Sequence, residues 1–185
     1  MKFWTVQKRS IVEHIMENGI YQPIFELSDY QAGDDLQELY GLFLQFFNQV
    51  NHSNLPGLIF AFLQSDGQQI FSIKDIQSFY NFIQKSKPAI MSLWNNLAKK
   101  DVVILELEYE QSFNPICIDI NDFQLLMPPL MVLPPYTDEY IVNLLRELKQ
   151  GVISRSVFPS GVIQAHLPNI QAENIVNVYE MFDFE

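Results

Sequence analysis

The stretch VVILELEYE, residues 102–110, is the strongest strand pattern in the chain. Side chains alternate between the two faces of a strand, so the odd-numbered residues share one face while Glu106, Glu108 and Glu110 share the other. A second strand is expected over Ile116–Ile120, just before an acidic turn at Asn121–Phe123. We therefore predict that residues 102–110 form the spine of a sheet, with one face in the core and the carboxylates open to solvent.

Composition and charge limit the class of protein. At 185 residues the chain suits one domain, 1–185, and its 48% hydrophobic and 14% aromatic residues argue for a packed interior. The formal net charge of -11 repels a nucleic-acid backbone and suits docking on a basic protein surface. The longest apolar run, Leu58–Leu63, is far shorter than the roughly 20 residues that span a bilayer. With one cysteine, Cys117, and no signal-peptide pattern, the chain is predicted to be soluble and cytoplasmic, without direct contact to nucleic acid or membrane.

The periodicity of apolar residues predicts an α+β fold. Strand patterns near residues 3, 60, 70, 105, 118, 164 and 178 predict a mixed, mostly antiparallel sheet, covered by about five helices. The first helix is predicted to begin with a Ser10–Glu13 capping box and to end at Gly19, with Met16 on its apolar face. The Asp-Gly pair at 66–67 predicts a tight hairpin. The other helices are predicted over 36–50, 73–83, 88–97 and 137–149.

A proline-rich apolar segment follows the predicted strands. Paired prolines at 128–129 and 134–135 exclude a regular helix or a central strand and favour an extended path. One interpretation is a crossover at 128–135 that is covered within the single domain. The other is an interaction strip for a protein partner or for a second subunit of a homo-oligomer. The strip consists of Leu130, Met131, Val132 and Tyr136.

Two motifs resemble those of a known family. The chain opens with MKFWTVQ, residues 1–7, followed by a helix pattern and Gly19, and its acidic strand is followed by INDF at 120–123. These features resemble an uncharacterised bacterial family, the domain of unknown function three-eight-four-one, whose members open similarly and carry a Ser-Asp-Phe-Asp corner after an acidic strand. Leu125 and Leu126 replace the Trp-His pair that members carry just after this corner. The resemblance implies a shared fold and a bacterial or phage setting, and it transfers no known activity.

The candidate ligand site is a cleft that joins both halves of the chain. Trp4 and Gln7 end the first predicted strand next to a helix start, where backbone amides and side-chain dipoles often hold ligands. Gln64 ends another strand, while Glu106 and Glu108 stand about 7 Å apart on one strand face, a spacing that suits paired catalytic carboxylates. In the plainer interpretation, Trp4 packs in the core, Gln7 lies at the surface and the glutamates line a solvated edge strand.

No metal site or cofactor is predicted. His14, His52 and His166 lie in unrelated segments without ligand spacing. The acidic turn at 119–122 is similar to the start of a calcium-binding loop but lacks the central glycine and the terminal glutamate of that loop. Cys117 has no neighbouring histidine in sequence and is therefore predicted to be a small buried hydrophobe.

The sequence favours a non-enzymatic protein-interaction module that binds another protein through its acidic surface and the strip at 128–136, and a basic partner would suit the acidic surface. The alternative is a small enzyme or nucleotide-binding protein with a degenerate ADP-ribosyltransferase-like cleft, because some proteins of that fold also begin with a strand with a polar tail and then a helix that ends in glycine. A binding module predicts that Glu106 and Glu108 face bulk water. An enzyme predicts that they line a concave pocket with Trp4 and include a carboxylate with a perturbed pKa.

Overall fold

An antiparallel sheet forms the centre of the fold. The computed structural model describes residues 1–24, 34–86, 101–122, 138–154 and 158–181. The strands are β1 Lys2–Lys8, β2 Ile20–Tyr21, β3 Ile59–Ser65, β4 Ile70–Phe71, β5 Val102–Glu108, β6 Cys117–Asp119, β7 Val162–Leu167, β8 Ile170–Gln171 and β9 Ile175–Glu180. The helices are α1 Arg9–Asn18, α2 Asp34–Asn51, α3 Ile76–Ser86 and α4 Asp138–Lys149, with a short 3-10 helix at Ala172–Asn174. The chain is an α+β protein, which confirms the predicted fold class.

The strand order corrects the predicted position of residues 102–110. Within the described residues, the main sheet has seven strands in the order β6-β7-β3-β1-β5-β9, with β4 paired to β3, and β2 and β8 form a separate pair. Every pairing among the described strands is antiparallel. β1 and β5 pair along their whole length, from Lys2 opposite Glu108 to Lys8 opposite Val102. Because β5 lies between β1 and the edge strand β9, the middle of the sheet is formed by β1 and β3, and the prediction of β5 as the spine is wrong.

Helices cover the two faces of the sheet unequally. α2, α3 and α4 pack on one face, here the three-helix face, and α1 packs on the other, the α1 face. Alternation along β1 sends Trp4 into the core of the three-helix face and Phe3 into the core of the α1 face. Residues 102–107 are all buried. A strand covered on both faces needs a nearly continuous apolar run, which is what VVIL supplies.

Helix α1 differs from its prediction at its start. The helix begins at Arg9 with Lys8 as its N-cap and no side-chain hydrogen bond, so the predicted Ser10 capping box is wrong. The strand runs directly into the helix, and the Arg9 N–H is satisfied by the Asp101 carbonyl oxygen at 2.8 Å. Met16 is 58% exposed, so its predicted place on the buried face is also wrong. The predicted end is confirmed, because Gly19 has φ 79°, a left-handed conformation that glycine adopts without steric cost.

Other predicted elements match closely where the structure describes them. The hairpin at 66–67 is confirmed, since β4 returns antiparallel to β3. The predicted helices at 36–50 and 137–149 correspond to α2 and α4. The predicted helix at 88–97 and the crossover at 128–135 lie outside the described residues, as do all four residues of the interaction strip: Leu130, Met131, Val132 and Tyr136. None of the described helices is long and apolar enough to cross a lipid bilayer.

Candidate functional site in a polar row across the sheet

One row of side chains crosses the sheet on the three-helix face. Cα partners in neighbouring strands have side chains on the same face, so the register defines this row strand by strand. From the β9 edge to the β6 edge, the row contains Asn177, Glu106, Trp4, Phe62, Gln164 and Ile118. Polar side chains therefore lie towards both ends of the row, and the aromatic pair Trp4 and Phe62 separates them.

The first polar group is the Glu106 site, which consists of Lys2, Trp4, Glu106, Asn177 and Tyr179. Glu106 forms an ion pair with Lys2 through Oε1. Asn177 Nδ2 donates to Glu106 Oε2 at 2.8 Å, and the Tyr179 hydroxyl donates to the same oxygen at 3.0 Å. Glu106 is only 5% exposed, yet both carboxylate oxygens have partners. A buried charge must be paired and hydrogen-bonded, and the Glu106 carboxylate meets this condition.

The electrostatics of this site favour a charged carboxylate. Burial by itself raises the pKa of Glu106, but hydrogen bonds from Lys2, Asn177 and Tyr179 outweigh burial and hold that pKa below its ordinary value. Burial raises the pKa of Tyr179, and its hydrogen bond to Glu106 raises it further, because the neutral phenol is the donor. At neutral pH the site therefore holds a carboxylate and a protonated phenol. A general acid or base would instead need a pKa near the operating pH.

Trp4 forms the inner wall of the Glu106 site. Its indole is fully buried, and its N–H donates to the Ile73 carbonyl oxygen at 2.9 Å. The ring stacks on Phe79 and Tyr179, with centroids 5.1 Å and 5.9 Å away. The Lys2 ammonium lies 5.9 Å from the indole centroid, within range of a cation–π interaction. Trp4 is thus a core residue that also positions the partner of Glu106.

The structure places most of the predicted site residues on one face of the sheet. Those on the three-helix face are Trp4, Gln64, Glu106 and Glu108. Gln7 instead lies on the α1 face, where its side-chain amide donates to Thr5 Oγ1 at 2.8 Å. The prediction that Gln7 shares a cleft with Trp4 is therefore wrong, because the two residues are three positions apart along β1 and so lie on opposite faces. Gln64 lies two residues beyond Phe62, the Cα partner of Trp4.

The three glutamates of residues 102–110 have different environments. Glu108 and Glu110 are exposed, as predicted, whereas Glu106 is buried. The prediction of an open acidic face is therefore wrong at Glu106. The physical reason is the position of the residue in the sheet, since its neighbours on either side are β1, which supplies Lys2, and β9, which supplies Asn177 and Tyr179.

The second polar group, the His166 site, lies on β7 at the far side of Phe62. Three aromatic rings surround the imidazole, with centroids 5.1 to 5.9 Å away: Phe43, Phe47 and Phe60. His166 Nδ1 lies 3.2 Å from the Ile116 carbonyl oxygen. Burial lowers the pKa of His166 to about 4, so the ring is neutral at neutral pH. On the same face Gln164 is 1% exposed, and its Oε1 accepts no hydrogen bond from any described group.

The acidic turn at 119–122, which begins at the end of β6, has a structural role. Asp119 is fully buried and accepts hydrogen bonds from the Ser160 N–H and hydroxyl at 2.9 to 3.1 Å, and from the Gly161 N–H at 3.2 Å. The Asn121 N–H donates to the same carboxylate at 2.9 Å. These bonds join the end of β6 to the start of β7. Within the described ranges, no three histidine, cysteine or acidic side chains gather as a metal site.

Cys117 is only half-buried, less enclosed than the predicted small buried hydrophobe. Burial raises the pKa of its thiol to about 12, so the thiol stays protonated at neutral pH. Its side chain contributes to the core on the α1 face. A protonated thiol is a poor nucleophile.

Sequence reasoning missed three members of the Glu106 site. Lys2 carries a usable signal, because it lies two residues before Trp4 and must therefore share its face of β1. Asn177 and Tyr179 share a face of β9 for the same reason, but 71 and 73 residues separate them from Glu106. Only the strand register connects them. Comparisons with known proteins found no matching family model, no matching curated protein and no matching solved structure.

Proposed function

We propose that the chain is a non-enzymatic protein-interaction module that binds a basic protein through an acidic corner, formed by Glu108, Glu110 and Glu173. Asn174 ties the start of β9 to the end of β5, since its side-chain amide donates to the Glu108 carbonyl oxygen at 3.2 Å. All three carboxylates are exposed, and none forms an ion pair within the described residues. Such a corner attracts a basic partner and accelerates encounter.

The observation that carries this proposal is the contrast between neighbouring glutamates of β5. Glu106 spends both carboxylate oxygens on internal partners, whereas Glu108, two residues on, presents its charge to solvent. The net charge of -11 also favours binding to a basic partner. The resemblance to the domain of unknown function three-eight-four-one supports a bacterial or phage cytoplasm as the setting.

The test is binding of a basic probe. Fluorescein-labelled hexalysine is titrated with the protein at low ionic strength, and anisotropy is recorded. The triple variant Glu108→Gln, Glu110→Gln, Glu173→Gln is expected to bind about tenfold more weakly, because each exposed ion pair contributes about 0.5 kcal/mol. The matched control carries three equal changes in the exposed residues Glu13, Glu17 and Glu139, on α1 and α4.

Two results would contradict the proposal. Equal weakening in the triple variant and in the matched control would mean that net charge alone drives binding. Absence of binding by the unaltered protein at low ionic strength would remove the acidic corner as a binding surface. Weakening with rising salt is expected, because exposed charges are screened.

A small enzyme or nucleotide-binding protein is the second candidate. It is favoured by one observation, the meeting of Lys2, Trp4 and Glu106 on one face, with the Glu106 pKa displaced from its ordinary value. A thermal-shift screen against nucleotides and divalent metals tests it, since a ligand that binds only the folded state raises the melting temperature. A rise that disappears in Glu106→Gln would favour the enzyme, and no rise with any ligand would count against it.

A further inference from the structure

Among the strands that the structure describes, the sheet ends in two unlike edges. The β6 edge has only three residues, and Asp119 at its end is locked to Ser160 and Gly161. The β9 edge has six residues and pairs with β5 on one side, while no described strand pairs with its outer side. An open edge strand presents unpaired N–H and C=O groups that another extended chain can use.

The exposed side chains of β9 suit burial by an added strand. Val176 and Val178 are 46% and 42% exposed. Val178 is the Cα partner of the fully buried Leu105, so it continues the apolar layer of the α1 face beyond the part that is covered. On the other face Asn177 and Tyr179 are held by Glu106, which fixes β9 beyond the register shift at Val176. A pre-formed strand with open apolar side chains loses little entropy when it pairs.

The charges along β9 define the direction of an added strand. At the start of β9 lies the acidic corner of Glu108, Glu110 and Glu173. At its end Glu180 is neutralised by Arg9, whose Nη2 lies 2.7 Å and 2.5 Å from the two carboxylate oxygens. Since every pairing in this sheet is antiparallel, the carboxyl-terminal end of an added strand would lie beside the acidic corner.

Building on the proposed function, we infer that β9 is the docking strand for an extended segment of a basic partner, in which alternating β-branched residues are followed by lysine or arginine. The apolar residues cover Val176 and Val178, and the basic residues meet the acidic corner. A second copy of this chain is the poorer occupant. Each copy carries a net charge of -11, so two copies repel each other. Arg9, a described basic group at the far end of β9, is already held by Glu180.

The test uses two peptides of identical composition, TVTVTVKKK and KKKTVTVTV, acetylated and amidated to remove their terminal charges. Anisotropy measures their affinity, and hydrogen exchange of the β9 amides is followed with and without peptide. The peptide with carboxyl-terminal lysines is expected to bind about tenfold more tightly, because antiparallel addition aligns its charges with the corner. It is also expected to slow exchange at residues 175–180.

A variant separates strand addition from simple charge attraction. Val178→Asp makes the edge more acidic but removes an apolar contact, and it is expected to weaken TVTVTVKKK about tenfold. Met16→Asp, at an exposed apolar residue on α1, is the matched control and is expected to leave affinity unchanged. Stronger binding by Val178→Asp would mean that charge alone acts at this edge and would overturn the inference.

The remaining outcomes distinguish the inference from the proposed function. If hexalysine binds the acidic corner while both peptides bind equally and β9 exchange is unchanged, the docking strand is refuted and the proposed function stands. If no basic probe binds, both fail. If light scattering finds a dimer that Val178→Asp dissociates, the occupant is a second copy, and the inferred basic partner is refuted.

Discussion

Glu106 and His166 are both ionisable residues buried on the three-helix face, 5% and 1% exposed respectively. Their neighbours treat them in opposite ways. Around Glu106 an ammonium group, an amide and a phenol supply donors, and the pKa of the carboxyl falls below its ordinary value. Around His166 three aromatic rings exclude water, and burial lowers the pKa of the imidazole to about 4.

Burial alone does not decide whether an ionisable group keeps its charge. Burial disfavours the charged form in both places, and at Glu106 it is outweighed by hydrogen bonds that only the carboxylate can accept. At His166 the Ile116 carbonyl oxygen acts in favour of the charged form but is outweighed by burial. The same face of the sheet therefore holds a charged, fully bonded group on the β9 side of Trp4 and Phe62 and a neutral, enclosed one on the β7 side.

Trp4→Ala should produce the largest effect, because it removes the wall that the Glu106 site shares with the core. The indole is fully buried and stacks on Phe79 and Tyr179, so we expect the free energy of unfolding to fall by about 4 kcal/mol. Urea unfolding measures this loss. Trp4→Phe keeps most of the packing and should lose clearly less. A loss under about 1 kcal/mol for the alanine variant would show that this part of the core is loosely packed.

The next largest effect should be the pH dependence of stability from His166. Its pKa is about 4 in the folded state and about 6.5 when unfolded, so between these values the unfolded chain binds more protons. Stability should therefore fall as the pH drops from about 6.5 to about 4, by about 3 kcal/mol in all, and should level off below this range.

A matched variant isolates this contribution. In His166→Gln the residue no longer titrates, so the difference in unfolding free energy between the two proteins should change with pH only inside that window. The lowered pKa of Glu106 acts at lower pH, because its contribution is complete above the ordinary pKa of a glutamate and is lost as the pH falls from there through the folded value. Parallel pH profiles for the two proteins would show that His166 is not enclosed as described.

Lys2→Met, at the Glu106 site, should have a smaller effect on stability. It leaves the Glu106 carboxylate buried without its counter-charge, and the free energy of unfolding should fall by about 2 kcal/mol at neutral pH. The pKa of Glu106 should rise, because its Lys2 hydrogen bond is lost. In the double variant with Glu106→Gln the combined loss should be smaller than the sum of the single losses by about 1 kcal/mol. Additive losses would mean that the pair is not coupled.

The local elements could be predicted from the sequence because their signals are local. The hairpin follows from Asp66-Gly67, and the end of α1 follows from Gly19, whose backbone φ of 79° glycine tolerates best. The start of α1 could not be predicted in the same way. Its first N–H is satisfied by Asp101, a residue far along the chain, so no capping side chain is needed.

The candidate site could be predicted only in part, for a related reason. The predicted cleft grouped Trp4, Gln64 and Glu106, and the strand register places these three on one face. It also included Gln7, which alternation along β1 by itself excludes, because Gln7 lies three positions after Trp4. The burial of Glu106 depends on which strands lie on either side of β5. Alternation contains no information on strand order, so an acidic edge and an enclosed ion pair have the same sequence pattern.

The smallest expected effect on stability is that of Glu108→Gln, and it allows two carboxylates of one strand, Glu106 and Glu108, to be compared directly. Glu108 lies on the same face as Glu106 and two residues further along, but it is exposed and has no ion pair within the described residues. We expect the free energy of unfolding to change by less than about 0.5 kcal/mol, whereas Glu106→Gln should lose clearly more. Urea unfolding of the two variants side by side measures this difference. Equal losses would mean that position on the face, and not the partners supplied by β1 and β9, determines how much a carboxylate of β5 contributes.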